Sequence, residues 1–181
     1  QLWHLLDEAD VVVHYNGKKF DMPWIEGEFW TSGMTPPSPV KQLDLYQVIK
    51  SSSRLLSNKL DYVAERILDD SKETNSGLPL WIACMNGEDE AWEEMKTYAM
   101  KDTALLFPIY YSIRPFIKIH PNVSIYSDKA EVGRLACTRC DSENYKKNGF
   151  AYTNAARYQR YRCLDCGGHF SGFKRTPLGD S

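Results

Sequence analysis

Four cysteines form two pairs, Cys137-x2-Cys140 and Cys163-x2-Cys166, with 22 residues between them. That spacing is the one with which a chain holds a single Zn²⁺. Each C-x2-C lets two thiolates grip the same ion, and four thiolates at tetrahedral corners close it against substrate, so the expected metal is structural rather than catalytic. A segment of about 40 residues cannot bury enough apolar surface to fold alone, and metal binding supplies on the order of 10 kcal/mol of its folding free energy. Disulfides are the alternative, disfavoured in a protein kept inside the cell. His169, three residues beyond Cys166, is placed to replace one cysteine but reads better as a polar neighbour. Cys84, alone in an apolar stretch, reads as a small buried hydrophobe.

Between the cysteine pairs, Lys146, Lys147, Arg157, Arg160 and Arg162 are interleaved with Tyr145, Tyr152, Tyr158 and Tyr161. On a hairpin such cations reach phosphates and such rings offer stacking surfaces, which makes a nucleic-acid-binding face for DNA or RNA. The plainer alternative is a solvated face whose tyrosines cover a small core. From Arg134 to Arg175 nine basic residues stand against three acidic ones, a balance of +6 within a chain of net charge −2, so the remainder carries −8. The C-terminal end alone is therefore expected to meet a polyanion. Its C-x2-C, basic stretch and final RYRC-x2-CG resemble the zinc ribbons of transposase-associated and phage proteins.

The elements that must position these residues follow from periodicity. Leu2 to Ala9 reads as a helix and Asp10 to Tyr15 as a short buried strand. After the Asn16-Gly17 turn, Phe20, Trp24, Ile25 and Phe29 recur at helical spacing. TSGMTPPSP is a loop, Val40 to Leu45 a second strand, and Tyr46 to Leu56 and Lys59 to Leu68 are helices, the latter capped by Ser57 or Asn58. The polar loop DDSKETNSG precedes a short helix, Pro79 to Met85. A long amphipathic helix runs from Glu88 to about Phe107, with Pro108 and Pro115 bending or ending it. Residues 118–133 lack a period and read as a linker.

A chain of 181 residues holds one ordinary domain plus a small module, and 43% hydrophobic with 25% charged residues is the composition of a packed globular protein. No apolar run approaches the roughly 20 residues that span a bilayer, and the N-terminus lacks the pattern of a secretory signal. The expected location is intracellular, in the cytoplasm of a bacterial or phage-infected cell, with no membrane partner. An opening Gln1 in place of Met is expected of a fragment or a processed product.

The stretch VVVHYNGKKFD, with Asn16, Phe20 and Asp21 after an apolar run, resembles the second motif of DnaQ-like DEDD exonucleases. Tyr98-x3-Asp102 in the last helix is similar to that family's third motif in its tyrosine form. KLDYVAERIL, residues 59–68, resembles a helix common in the exonuclease domains of family B DNA polymerases and their phage relatives. The resemblance covers about residues 1–115 and implies an RNase H-like fold. It also implies metal-dependent 3′-to-5′ hydrolysis of DNA with Mg²⁺ or Mn²⁺, since paired ions about 4 Å apart need a cluster of carboxylates to hold them. By the same resemblance Asp102 is a direct metal ligand, Asp21 holds the second metal largely through water, and Tyr98 orients the attacking water. Asn16 and Phe20 shape the place of the 3′ end. Without it, Asp21 would be a helix-capping residue and Asp102 a solvated carboxylate.

The family's first motif, an apolar strand ending in D-x-E, does not precede Asn16. Asp7-Glu8 is adjacent rather than spaced, and Asp44 lies on the wrong side of the second motif, so both read as structural. The chain is thus expected to be inactive alone. Either an upstream polypeptide supplies D-x-E and the central sheet, which the retained Asp21, Tyr98 and Asp102 favour, or the scaffold is degenerate and only binds nucleic acid. The expected fold is α/β: a partial RNase H-like exonuclease part at 1–117, the linker, and a zinc ribbon at 134–175.

Overall fold

The computed structural model describes residues 1–69 and 77–178, so most of the DDSKETNSG loop, residues 70–76, lies outside the described residues. The chain divides between Ser112 and Ile113 into two compact units. In the first, α1 (Leu2–Glu8) leads into β1 (Val11–His14), α2 (Asp21–Thr31), β2 (Lys41–Asp44) and α3 (Leu45–Ser52). Then come α4 (Leu60–Leu68), α5 (Leu78–Met85) and α6 (Asp89–Ile113). β1 and β2 pair in parallel, Val11 opposite Lys41 and His14 opposite Asp44, so β1-α2-β2 is a crossover unit.

Local chemistry fixes these boundaries. Asp44 ends β2 and caps α3, its side chain accepting from Gln47 N. Pro79 sits in the first turn of α5, where its missing N–H costs nothing. The cap of α4 differs from expectation. Lys59 occupies the N-cap position, while Ser57 Oγ accepts from Lys59 N and the Asn58 carbonyl accepts from Tyr15 OH at 2.7 Å. α3 stops at Ser52, four residues short of expectation, and Leu56 is exposed. Pro108 does not end α6, which continues to Ile113; Pro115 falls in a 3₁₀ turn, Arg114–Phe116.

Leu43, Leu45, Ile49, Val63 and Ile109 are buried, and α5 and α6 meet through Leu80, Cys84 and Ala91. Cys84 is the buried hydrophobe its surroundings implied. The apolar strand β1 is nonetheless only partly buried at every position, and Trp24 and Trp30 of α2 are 75% and 74% exposed. Parallel strands of this composition are normally covered on both faces.

The second unit is built on β3 (Tyr145–Tyr152), β4 (Ala156–Cys163) and β5 (His169–Pro177), an antiparallel sheet in the order β3-β4-β5. Residues 118–133, read from the sequence as a linker, carry a 3₁₀ turn at Val123–Tyr126, and Val123 N donates to Thr138 O at 2.9 Å. Buried Arg139 donates to the carbonyls of Ile117 and His169, which ties the approach segment to the start of β5.

Candidate functional site

The four cysteines sit on two matching knuckles. Cys137 N donates to Ser142 O at 2.8 Å, and Cys163 N to Gly168 O at 2.9 Å. The residue after each second cysteine, Asp141 or Gly167, takes the left-handed conformation that glycine and asparagine-like side chains tolerate. Sγ of Cys137 lies 3.6 Å from that of Cys166, Cys140 the same distance from Cys163, and all four fall within 4.8 Å of one another. A tetrahedral ion with metal–sulfur bonds near 2.3 Å requires an edge of about 3.8 Å. A disulfide needs about 2.05 Å, and all five cysteines are free. The cluster therefore fits a metal such as zinc, and His169 is not part of it.

Burial pushes the Cys137 thiol up to about 11 and raises Cys140 as well; burial also opposes ionisation of Cys163, but hydrogen bonds from the backbone N–H groups of Cys166 and Asp165 together with those from the Cys140 and Cys166 thiols outweigh it and lower that thiol. A metal must displace protons from the raised thiols. Around the sulfurs, Tyr145, Tyr161 and Phe170 close the core with ring centroids 5.1–5.5 Å apart. Two of the four interleaved tyrosines are therefore packing rather than contact surface.

Strand register sorts the cations. Lys146 pairs with Arg162 and Arg162 with His169, and directly opposed residues share a face. Alternation along β4 puts Arg160, opposite Ser171, and Tyr158, opposite Arg175, on that same face. Burial, with Arg160, Arg162 and Arg139 close by, holds His169 below its ordinary pKa. Lys147 and Arg157 point to the other face, the one that carries Cys163 and Tyr161. Arg134 is committed elsewhere, to Asp141 at 2.5 Å and Glu143 at 2.8 Å. Arg139, buried, is structural too.

In the first unit the N-x3-F-D stretch lies just past the carboxyl end of β1, where open α/β sheets place their sites. Asn16 has φ 62° and donates its N–H to Asp44 Oδ1 at 2.8 Å; its own Oδ1 is buried without a partner. Met22 N donates to Gly17 O, and α2 opens at Asp21, whose exposed side chain makes no capping bond. Gly17 marks a close approach: a Cβ there would stand 2.9 Å from His14 Cγ and 3.1 Å from Asp21 Oδ2. Asp44, which sequence reasoning set aside as structural, and His14, which it did not single out, thus border the site, with Nδ1 and Oδ2 3.7 Å apart. The signal in the sequence was their position, each the last residue but one of its expected strand and the last residue of the observed one. Phe20 is 60% exposed beside Asp21.

Tyr98 and Asp102 lie one turn apart on the half-buried face of α6 that also carries Ala91, Met95 and Ile109. Among the described residues the four cysteines form the one group of three or more metal-capable side chains within 4.8 Å, so Asp21 and Asp102 belong to no such cluster. These residues by themselves do not form a magnesium cage. Asp7, set aside as structural, accepts from Ser38 N and Oγ at 2.8 and 2.9 Å and holds the proline-rich loop to α1. No helix among the described residues is long and apolar enough to cross a membrane.

No curated protein matches the chain. A family model described as RNase_H superfamily matches residues 1–114, the span that carries the parallel β1-α2-β2 unit, the strand-end site and α6. The chain belongs to the RNase H superfamily, and its first 114 residues are a nuclease-like scaffold followed by a cysteine ribbon.

Proposed function

We propose that this chain is the C-terminal part of a DnaQ-like, DEDD-type 3′-to-5′ exonuclease acting on DNA, in which a structural Zn²⁺ folds a nucleic-acid-binding ribbon. The observation that carries the reading is the placement of Asn16-x3-Phe20-Asp21: an apolar parallel strand delivers it to the sheet's carboxyl edge with Asp21 pointing to solvent rather than capping α2. Asp21 and Asp102 are the carboxylates this chain contributes to divalent-metal binding. Magnesium or manganese, when bound, would stabilise the charge that develops on the phosphate. Tyr98 orients the attacking water, while Asn16 and Phe20 receive the 3′ end.

Activity requires a further strand bearing D-x-E. Support comes from a parallel sheet of two short strands, a β1 that is apolar yet only partly buried, and the lack of a metal-capable cluster at Asp21 among the described residues. On the ribbon, Lys146, Lys147, Arg157, Arg160 and Arg162 contact nucleic acid. Complementing the chain with a polypeptide that carries the D-x-E strand tests the catalytic reading. Asp21→Ala then abolishes 3′ trimming of DNA by the complex while leaving salt-dependent DNA binding intact. A complex whose function Asp21→Ala does not touch is a nucleic-acid binder on a degenerate scaffold.

A further inference from the structure

The ribbon's sheet carries a second feature that the cations alone do not explain. Between Lys147 and Phe150 the β3 register slips by one residue. Gly149 takes φ 67° at the slip, which is held by Gln159 Nε2 donating to Gly149 O at 2.8 Å and Arg160 Nε to Asn148 O at 2.9 Å. A bulge of this kind re-aims the side chains that follow it. Lys147 opposes Tyr161, Phe150 opposes Gln159 and Tyr152 opposes Arg157, so Phe150 and Tyr152 emerge on the face of the metal core. They stand beyond its end, alongside β4 residues four and six positions before Cys163, roughly 14–20 Å along the strand.

Nothing in the unit's core covers these rings: Phe150 is 39% exposed and Tyr152 is 65% exposed. Their centroids are 6.4 Å apart, and the Arg157 guanidinium lies 4.9 Å from the centre of the Phe150 ring. Two exposed rings with a planar cation over one of them set this face apart from the Lys146–Arg162–His169 row on the other, where Arg160 adds further charge. The tip is hydrogen-bonded in place, since Thr153 N donates to Ala156 O and Thr153 Oγ1 exchanges bonds with the same residue.

We propose that Phe150, Tyr152 and Arg157 form a stacking platform for unpaired bases, which makes the ribbon a reader of single-stranded nucleic acid. The proposal rests on the reading that the ribbon binds nucleic acid. Base–aromatic stacking needs π-faces that a duplex does not offer, whereas the cations of the opposite face bind phosphates of either form. Arg157 supports the Phe150 ring from one side and gives the phosphate between two stacked bases its counter-charge.

The test uses the zinc-loaded full chain and fluorescence anisotropy, with a fluorescein-labelled dT20 strand and a 20-base-pair duplex titrated in parallel at low and moderate salt. Both rings are exposed, so Phe150→Ala and Tyr152→Ala leave the fold intact, and unchanged circular dichroism and zinc content verify it. Each is expected to weaken dT20 binding by roughly 5- to 100-fold while duplex binding changes less than twofold. Tyr152→Phe, which keeps the ring, retains wild-type affinity. Charge reversal at Arg162 weakens both ligands alike. Salt-dependent binding of both ligands that the alanine variants do not change overturns the platform and leaves the cationic reading standing. Absence of binding to either ligand at low salt overturns both.

Discussion

Stripping the metal from the cysteine cluster should unfold the second unit and leave the first in place. Besides the cysteines, the large buried apolar side chains of this unit are Ile117 and Phe170, with the small Ala136 and Ala156 beside them. Full burial of a large apolar side chain is worth about 1.5–3 kcal/mol, so these two supply roughly 3–6 kcal/mol. A structural Zn²⁺ held by four thiolates supplies about 10–16 kcal/mol at neutral pH. The ion therefore outweighs the apolar core roughly two- to fivefold, and its loss exceeds what the remaining contacts can offset. Released zinc measured with a chromogenic chelator should come to one ion per chain. On removal, the NMR cross-peaks of residues 135–177 should collapse to random-coil positions while those of α3 and α4 stay dispersed. Cys140→Ser should have the same effect without chelator. A ribbon whose cross-peaks remain dispersed after complete metal removal would refute the argument that the ion, rather than Phe170 and its neighbours, holds it together.

Three further outcomes follow from single contacts. Asp44→Ala removes both the α3 cap and the acceptor of the Asn16 N–H, and should cost about 2–3 kcal/mol in urea unfolding of the first unit, with Asp44→Asn recovering at least half. Gly17→Ala places a methyl against the His14 ring and the Asp21 carboxylate, so it should reduce trimming by the complemented enzyme at least tenfold while shifting the melting temperature by only a few degrees, checked by calorimetry. His120 is held below the ordinary histidine pKa of 6.5 chiefly by burial, with Arg139 and Arg114 adding to the effect against the Pro121 carbonyl. Its contribution to stability is whole above pH 6.5 and is lost as pH falls from there toward the folded-state value. His120→Asn should therefore flatten the decline in melting temperature between pH 7 and 5.5; the thiol protons are a term common to both proteins and cancel in the comparison.

The cysteine spacing predicted a metal cluster because four ligands of one type at fixed offsets leave the chain little freedom, and the sulfurs meet as that spacing requires. The β1-α2-β2 unit was equally legible, since an apolar run, an Asn-Gly turn and a helical period each leave a local signature. Other features depended on contacts that sequence does not carry. Pro108 reads as a bend or a stop, yet α6 continues through it, and Ser112 Oγ donates to the Pro108 carbonyl one turn on. Tyr145 and Tyr161 share the basic stretch with Tyr152 and Tyr158; register turns Tyr158 to the other face, while Tyr152 stands on the same face beyond the end of the core. The bulge that turns Phe150 outward left no pattern beyond Asn148-Gly149, which reads equally well as a turn. His14 and Asp44 stood only near the ends of the expected strands, and their place beside the Asn16–Gly17 turn depends on the parallel pairing of β1 with β2.

The proposed role of Asp21, Tyr98 and Asp102 as the retained part of an exonuclease site is tested most directly by the 3′ trimming of a 5′-labelled DNA strand in magnesium or manganese, by the chain alone and by the chain complemented with a D-x-E-bearing polypeptide. No trimming by the chain alone, a ladder shortening from the 3′ end in the complex, and loss of that ladder in Asp102→Ala are the predicted results. Strong trimming by the chain alone that Asp102→Ala abolishes would contradict the requirement for a further strand. A complex that binds DNA and never shortens it would contradict the nuclease reading itself.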